Sequence, residues 1–347
     1  LGRGVHRDER LGNIVPASKR HGLSLAMPAW PRCLRALGWL HVMQIYLPIA
    51  NMSVNILTMI LLGGTVGLLS GMFGVGGGFL TTPLLIFFGI PPTVAAASAA
   101  TQVTGASVSG VLAHWERGGV DLRMGLLLAA GGVLGALVGA WLFNALSGLG
   151  QIDTAINILY VAMLGSIGWL MARDAWRDIR AERSGEPVQV RKVHHHPLVA
   201  NLPFRWRFYK SGIYVSPLAP LTLGVFTGIL TVLLGVGGGF VVVPAMIYLL
   251  GMSARVVVGT SLLQILLVTA FTTMVHALTT HAVDIVLAAL LLVGGTFGAQ
   301  LGALLAVRLP PQKLRMALAV IVLLVALRMF LGLTYRPPEL FTIELLG

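Results

Sequence analysis

The sequence predicts an all-α polytopic membrane protein made of two homologous, inverted repeats, each with four long transmembrane helices plus one half-helix broken by glycines. Three observations carry this expectation. Only 10% of the 347 residues are charged and 56% are hydrophobic, with a mean hydropathy of +0.87; a soluble domain carries about 25% charged residues. Apolar runs long enough to span a bilayer, about 20 residues, lie near 44–70, 93–113, 124–146, 152–172, 217–234, 256–275, 285–307 and 316–333. Finally, FGVGGGF at 73–79, with Pro83 beyond it, recurs as LGVGGGF at 234–240, with Pro244 beyond it.

Residues 1–42 hold scattered Arg, Pro and Gly without periodicity and lack the order of a signal peptide. They read as a disordered or untranslated extension, with a natural start at Met43 or Met27. Met43 opens MQIYLPIANMSVNIL, which reads directly into the first span. Placing Gly74 on Gly235 aligns Gly76–Gly78 with Gly237–Gly239, Phe79 with Phe240 and Pro83 with Pro244. With small insertions Ser98 then meets Thr260, Gln102 meets Gln264 and His114 meets His276. Gly132, Gly135 and Gly139 likewise meet Gly295, Gly298 and Gly302. The organisation is therefore membrane repeat 43–172, basic cytoplasmic linker 173–216, membrane repeat 217–333 and tail 334–347.

Charge chooses the topology. Lys and Arg accumulate in cytoplasmic loops, which also accounts for the net charge of +12 without a nucleic-acid partner, since no recognition motif is present. With the basic linker inside, four crossings per repeat put Arg308, Lys313 and Arg315 outside, whereas five put them inside with Arg117, Arg123 and Arg255. Five crossings also leave the uncharged turns 147–151 and 277–283 outside and make the repeats inverted. The fifth crossing is the glycine segment with its short apolar continuation.

Consecutive glycines break a helix rather than pack one. Backbone unwound in hydrocarbon is tolerated where it is buried or lines a cavity. A helix that restarts near Phe79 or Phe240 presents N–H groups without intrahelical acceptors, and its dipole favours an anion. Gly76, Gly77, Gly78, Phe79 and Gly237, Gly238, Gly239, Phe240 are thus candidate anion ligands. The series Gly132/Gly135/Gly139 and Gly295/Gly298/Gly302 reads as helix packing. Ser98 with Gln102, and Thr260 with Gln264, share a helix face four residues apart and join the substrate-binding candidates, beside the alternative of interhelical hydrogen bonding. His114 and His276 read as solvated tips at span ends, with proton coupling as the other reading. The HHH run at 194–196 reads as solvated loop. Asp121, Asp153 and Asp284 fall at span ends, away from the mid-membrane positions used for ion coupling. With one cysteine, Cys33, and no nucleophile–base pair or metal motif, neither enzyme nor resident cofactor is expected.

The doubled GVGGGF…P pattern, each copy followed by Gln102 or Gln264 in the next span, resembles the sulfite exporter TauE/SafE family of permeases over about 43–333. The resemblance implies a bacterial inner-membrane exporter of small sulfur-containing anions such as sulfite or organosulfonates, with Gly76–Gly78 and Gly237–Gly239 lining the path. The alternative is a non-transporting membrane scaffold or assembly factor, in which paired half-helices would have no use.

Overall fold

The computed structural model describes residues 44–73, 77–116, 118–183, 206–208, 210–306 and 311–334, all within one unit, Met43–Gly347. The N-terminal extension, the HHH run, Gly76, Cys33 and Arg308 therefore lie outside the described residues.

Residues 44–55 do not begin a span, as the apolar run had suggested. They form a hairpin, β1 (Gln44–Leu47) and β2 (Met52–Asn55), paired antiparallel from Gln44↔Asn55 to Leu47↔Met52. Pro48 removes a backbone donor and Asn51 takes a left-handed φ of 52°, so the chain turns instead of winding. The first helix, α1 (Ile56–Phe73), starts at its end, where Asn55 Oδ1 accepts the Leu57 N–H at 2.9 Å.

After the glycines comes a half-length helix, α2 (Gly78–Phe87). It ends at Gly89, φ +85°, and Pro91 and Pro92 set up the start of α3 (Pro92–Glu116). Then follow α4 (Leu122–Gly148) and α5 (Ile152–Arg183). The helix α5 passes 172, so residues 173–183, read as linker, continue it. A second hairpin, β3 (Trp206–Phe208) with β4 (Ile213–Val215), precedes the second half just as the first precedes α1. The second half is α6 (Leu218–Leu234), the half-length α7 (Gly239–Tyr248), α8 (Ala254–Thr279), α9 (Ile285–Ala306) and α10 (Pro311–Thr334).

The protein is all-α and polytopic. Stretches of α4, α5, α8, α9 and α10 are long and apolar enough to cross a membrane, and α1, α2, α6 and α7 are shorter apolar helices. Outward-facing Trp141, Trp169, Phe297 and Leu324 leave an apolar exterior that suits lipid. The helix α3 has the length to cross but carries Ser98, Gln102 and Ser107 among its buried residues, and forms part of the interior.

Helix pairing exchanges between the halves: α1 packs on α9, α6 on α4, α5 on α10 and α3 on α8. Glycine makes the first two contacts. Gly63, Gly67 and Gly71 face Leu291, Gly295 and Ala299 in the same order, so α1 and α9 run parallel. Gly131, Gly135 and Gly139 face Leu221, Val225 and Ile229, so α4 and α6 are parallel too. At Gly135 a Cβ would fall 2.0 Å from Val225 O, and at Gly298 2.0 Å from Gly64 O. Any side chain there would force the backbones apart. By contrast α3 and α8 are antiparallel, since the hydroxyls of Thr101 and Thr104 meet those of Thr273 and Thr269 at 3.3 and 2.9 Å.

Candidate functional site

The end of α6 shows why the motif needs glycine. Gly235 caps the helix at φ +70°, its N–H reaching Thr231 O at 2.8 Å. Gly237 and Gly238 follow at φ +74° each, a left-handed run that L residues rarely adopt. The C-terminal carbonyl of Leu234, in the buried interior, is taken by two side chains, Thr82 Oγ1 at 3.1 Å and the Tyr160 hydroxyl, both buried. They tie the C-terminus of α6 to α2 and α5. In the first copy Gly77, the N-cap of α2, is right-handed at φ −65°. The two copies therefore have the same sequence pattern and different backbone geometry.

The two half-helices meet head to head. A Cβ on Gly78 would lie 2.8 Å from Val236 O and 3.0 Å from Gly235 O, so the start of α2 rests directly on the second glycine loop. Phe79 and Phe240 stack with centroids 4.5 Å apart and planes 5° apart, both fully buried. Intrahelical bonding begins with Leu80 and Val241, which donate to Gly77 O and Gly238 O. The N–H groups before them belong to the donor-rich first turn of each helix. Two positive helix ends thus converge in the interior, an arrangement that attracts negative charge.

The paired glutamines differ. Gln102, 3% exposed, accepts at Oε1 from Thr81 Oγ1 at 3.0 Å. Its Nε2 faces Gly77 and Gly295, lying 3.8 and 3.0 Å from where their Cβ atoms would stand. Gly295, read from sequence as a packing residue, thus also makes room for this amide. Gln264 is fully buried, and neither Nε2 nor Oε1 has a partner. The repeat explains the difference: Val242 stands where Thr81 does, so Gln264 lacks the hydroxyl that holds Gln102. A buried amide left unsatisfied costs about 1–3 kcal/mol per group.

The hydroxyls that share a face with the glutamines are engaged. Ser98 Oγ accepts the Asp284 N–H at 3.2 Å, and Thr260 Oγ1 accepts the Asp121 N–H at 3.0 Å. Each ties one central helix to the start of a helix from the other half. Both aspartates are buried N-caps: Asp121 Oδ1 accepts from Met124 N–H at 3.2 Å and Asp284 Oδ1 from Leu287 N–H at 3.0 Å. Asp121 Oδ2 also takes the N–H and hydroxyl of Ser211 in the β3–β4 turn, whereas Asp284 Oδ2 has no partner.

His276 is not a solvated tip. It is 1% exposed, with Nε2 3.0 Å from Val232 O, Nδ1 3.3 Å from Thr280 Oγ1 and an edge contact to Phe143. Its place at the end of a span made it look wet, while Phe143 of α4 and Val232 of α6 enclose it. His114 is half-buried, its Cβ 3.0 Å from the Cβ position of Gly259. Sequence reasoning missed Thr81, Tyr160, Ser70, Thr227 and Thr231. Ser70 lies beside Gly77, and Thr227 and Thr231 lie beside Gly238. Ser70 and Thr231 share the spacing that relates the two glycine motifs, and that was the signal available. Among the described residues no group of three His, Cys, Asp or Glu is arranged to hold a metal ion.

Two half-helices are opposed inside this many-helix membrane protein, and the chain is a membrane transporter by class. It belongs to the sulfite exporter TauE/SafE family, whose pattern it matches over residues 59–329. Similar curated proteins carry the same class name. A probable membrane transporter protein of Xylella fastidiosa is 29% identical over 72% of this chain and 85% of its own length. The probable membrane transporter protein YjnA of Bacillus subtilis is 28% identical over 80% of this chain and its full length. YunE of the same organism, also called a probable membrane transporter protein, is 26% identical over 76% of this chain and 92% of its own. No solved structure matches the chain.

Proposed function

We propose that the protein exports small sulfur-containing anions, sulfite or organosulfonates, across the bacterial inner membrane, binding them where the N-termini of α2 and α7 converge. The carrying observation is that junction: Gly78 against the Val236 carbonyl and Phe79 stacked on Phe240. It supports a site in which backbone donors and two helix dipoles face one volume, the amide of Gln102 supplying a further donor beside Gly77. The ligands in this reading are Gly77, Gly78, Gly237, Gly238 and Gly239 with Gln102 and Gln264. Ser98 and Thr260 hold the helices that carry the glutamines.

The two halves act in this reading as inverted copies that rock about the bound anion. Their exchanged helix pairing and the antiparallel run of α3 and α8 support it. Counterflow in proteoliposomes tests the reading. Preloaded sulfite is expected to drive uptake of labelled sulfite and of small sulfonates, with empty liposomes as the reference. Uptake no greater than in empty liposomes for all of these anions would end it.

A further inference from the structure

The last turns of α5 have no part in the junction of the half-helices. Residues 173–183, which read from sequence as linker, extend the helix instead. It is 32 residues long, about 48 Å at 1.5 Å per residue. A hydrocarbon core of about 30 Å takes up roughly 20 of them, so from Ile152 the core ends near Ala172. The remaining turns stand at the level of the lipid headgroups and beyond.

One face of α5 carries through this boundary. Ile158 and Trp169 are exposed, on the side away from the buried Ile156, Tyr160 and Leu164. Arg173, Trp176 and Arg177 are exposed as well. At about 100° per residue, Ile158, Trp169, Arg173 and Trp176 share an arc of about 60°, and Arg177 adjoins it. The lipid-facing apolar stripe thus passes directly into two tryptophans and two arginines. Asp174 lies on another side of the helix, where its Oδ2 accepts from the Tyr248 hydroxyl of α7 at 3.4 Å.

Tryptophan favours the boundary between hydrocarbon and headgroups, since its ring is apolar and its N–H polar. An arginine just beyond that boundary offers phosphate oxygens a planar fork of donors. Two arginines one turn apart place two positive charges on one patch, which favours a headgroup of net negative charge over a zwitterionic one. We infer that this face of α5 binds an anionic phospholipid, its phosphate on Arg173 and Arg177, its acyl chains along Ile158 and Trp169, and Trp176 flanking the headgroup. The same helix holds the second glycine segment at both ends: Tyr160 donates to the Leu234 carbonyl before it, and Asp174 accepts from Tyr248 after it. A lipid seated at the end of α5 therefore steadies the frame of that segment.

The test titrates the full chain in detergent with phosphatidylglycerol or phosphatidylcholine, each brominated on its acyl chains. Quenching at the site is the fluorescence loss that disappears in Trp169→Phe/Trp176→Phe. Each arginine near an anionic surface contributes about fivefold in binding. The wild type is therefore expected to be half-quenched at about 25-fold less phosphatidylglycerol than phosphatidylcholine, and its melting temperature should rise with phosphatidylglycerol alone. Arg173→Gln/Arg177→Gln should bring the two midpoints together, and Arg173→Lys/Arg177→Lys should keep most of the gap. If the glutamine pair folds poorly, Arg177→Gln alone should narrow the gap about fivefold. Equal midpoints for the two lipids in the wild type, or a gap unchanged in the glutamine variants, overturns the inference. Stabilisation by inorganic phosphate as large as that by phosphatidylglycerol overturns it too, since the arginines would then serve a soluble anion.

Discussion

Gly77 and Gly238 occupy the same place in the repeat and are expected to respond differently to the same substitution. Gly77 is right-handed at φ −65°, and the atom nearest its Cβ position is Val66 Cγ1 at 3.3 Å. A methyl there meets a side chain that can shift, so Gly77→Ala should change stability by less than about 0.5 kcal/mol. Gly238 is left-handed at φ +74° and has Thr227 Cβ at 3.0 Å, so Gly238→Ala should cost about 1 kcal/mol or more. Melting of the detergent-solubilised variants measures both. Tolerance at Gly77 permits a charge test of the anion site. Gly77→Asp offers its own carboxylate to the α2 N-terminus and should lower anion uptake well below that of the near-isosteric Gly77→Asn. Equal uptake at equal stability would favour packing as the motif's role.

At the scale of elements, side chains from distant parts of the chain hold the helix ends. The C-terminal carbonyl of α6 receives Thr82 and Tyr160. Tyr160→Phe removes one of these donors and is expected to destabilise by about 1 kcal/mol. Thr82→Val combined with it should cost more than the two single changes together, since the buried carbonyl then loses both. At the start of α4, Ser211 donates to Asp121 through both its N–H and its hydroxyl. Ser211→Ala keeps the backbone donor and should lower stability by about 1 kcal/mol, the order of one net hydrogen bond. A melting temperature unchanged in Ser211→Ala would show that the β3–β4 hairpin does not brace α4.

For the whole molecule, parallel α1/α9 and α4/α6 pairs together with antiparallel α3 and α8 make one structure from two interlocked halves. Each half supplies the partner the other needs: Ser98 to Asp284, Thr260 to Asp121 and Gly78 at the start of α2 to the second glycine loop. The inverted arrangement predicts that Arg207 in β3 and Thr279 at the end of α8 lie on opposite sides of the membrane. With Cys33 replaced by Ser, Arg207→Cys and Thr279→Cys are expected to react with an impermeant thiol reagent from opposite faces. Labelling of both from one face would contradict inversion.

The sequence by itself determined what depends on composition and period. Scarce charge and long apolar runs specify spans, because hydrocarbon leaves a helix as the way to satisfy the backbone. The repeated glycines specify a break, because helix propensity collapses there. It misread 44–55 as span, because a hairpin and a helix start share the same apolar composition and Pro48 with Asn51 decide between them only as a turn. Other features depend on atoms far apart in the chain and needed the tertiary structure: the enclosure of His276 by α4 and α6, the capture of the Leu234 carbonyl by Tyr160, and the difference between Gln102 and Gln264. The Gln102 amide gained a partner that the Gln264 amide lacks where Val242 replaces Thr81. A hydroxyl's worth depends on which polar atom lies within its reach, and only packing fixes that distance.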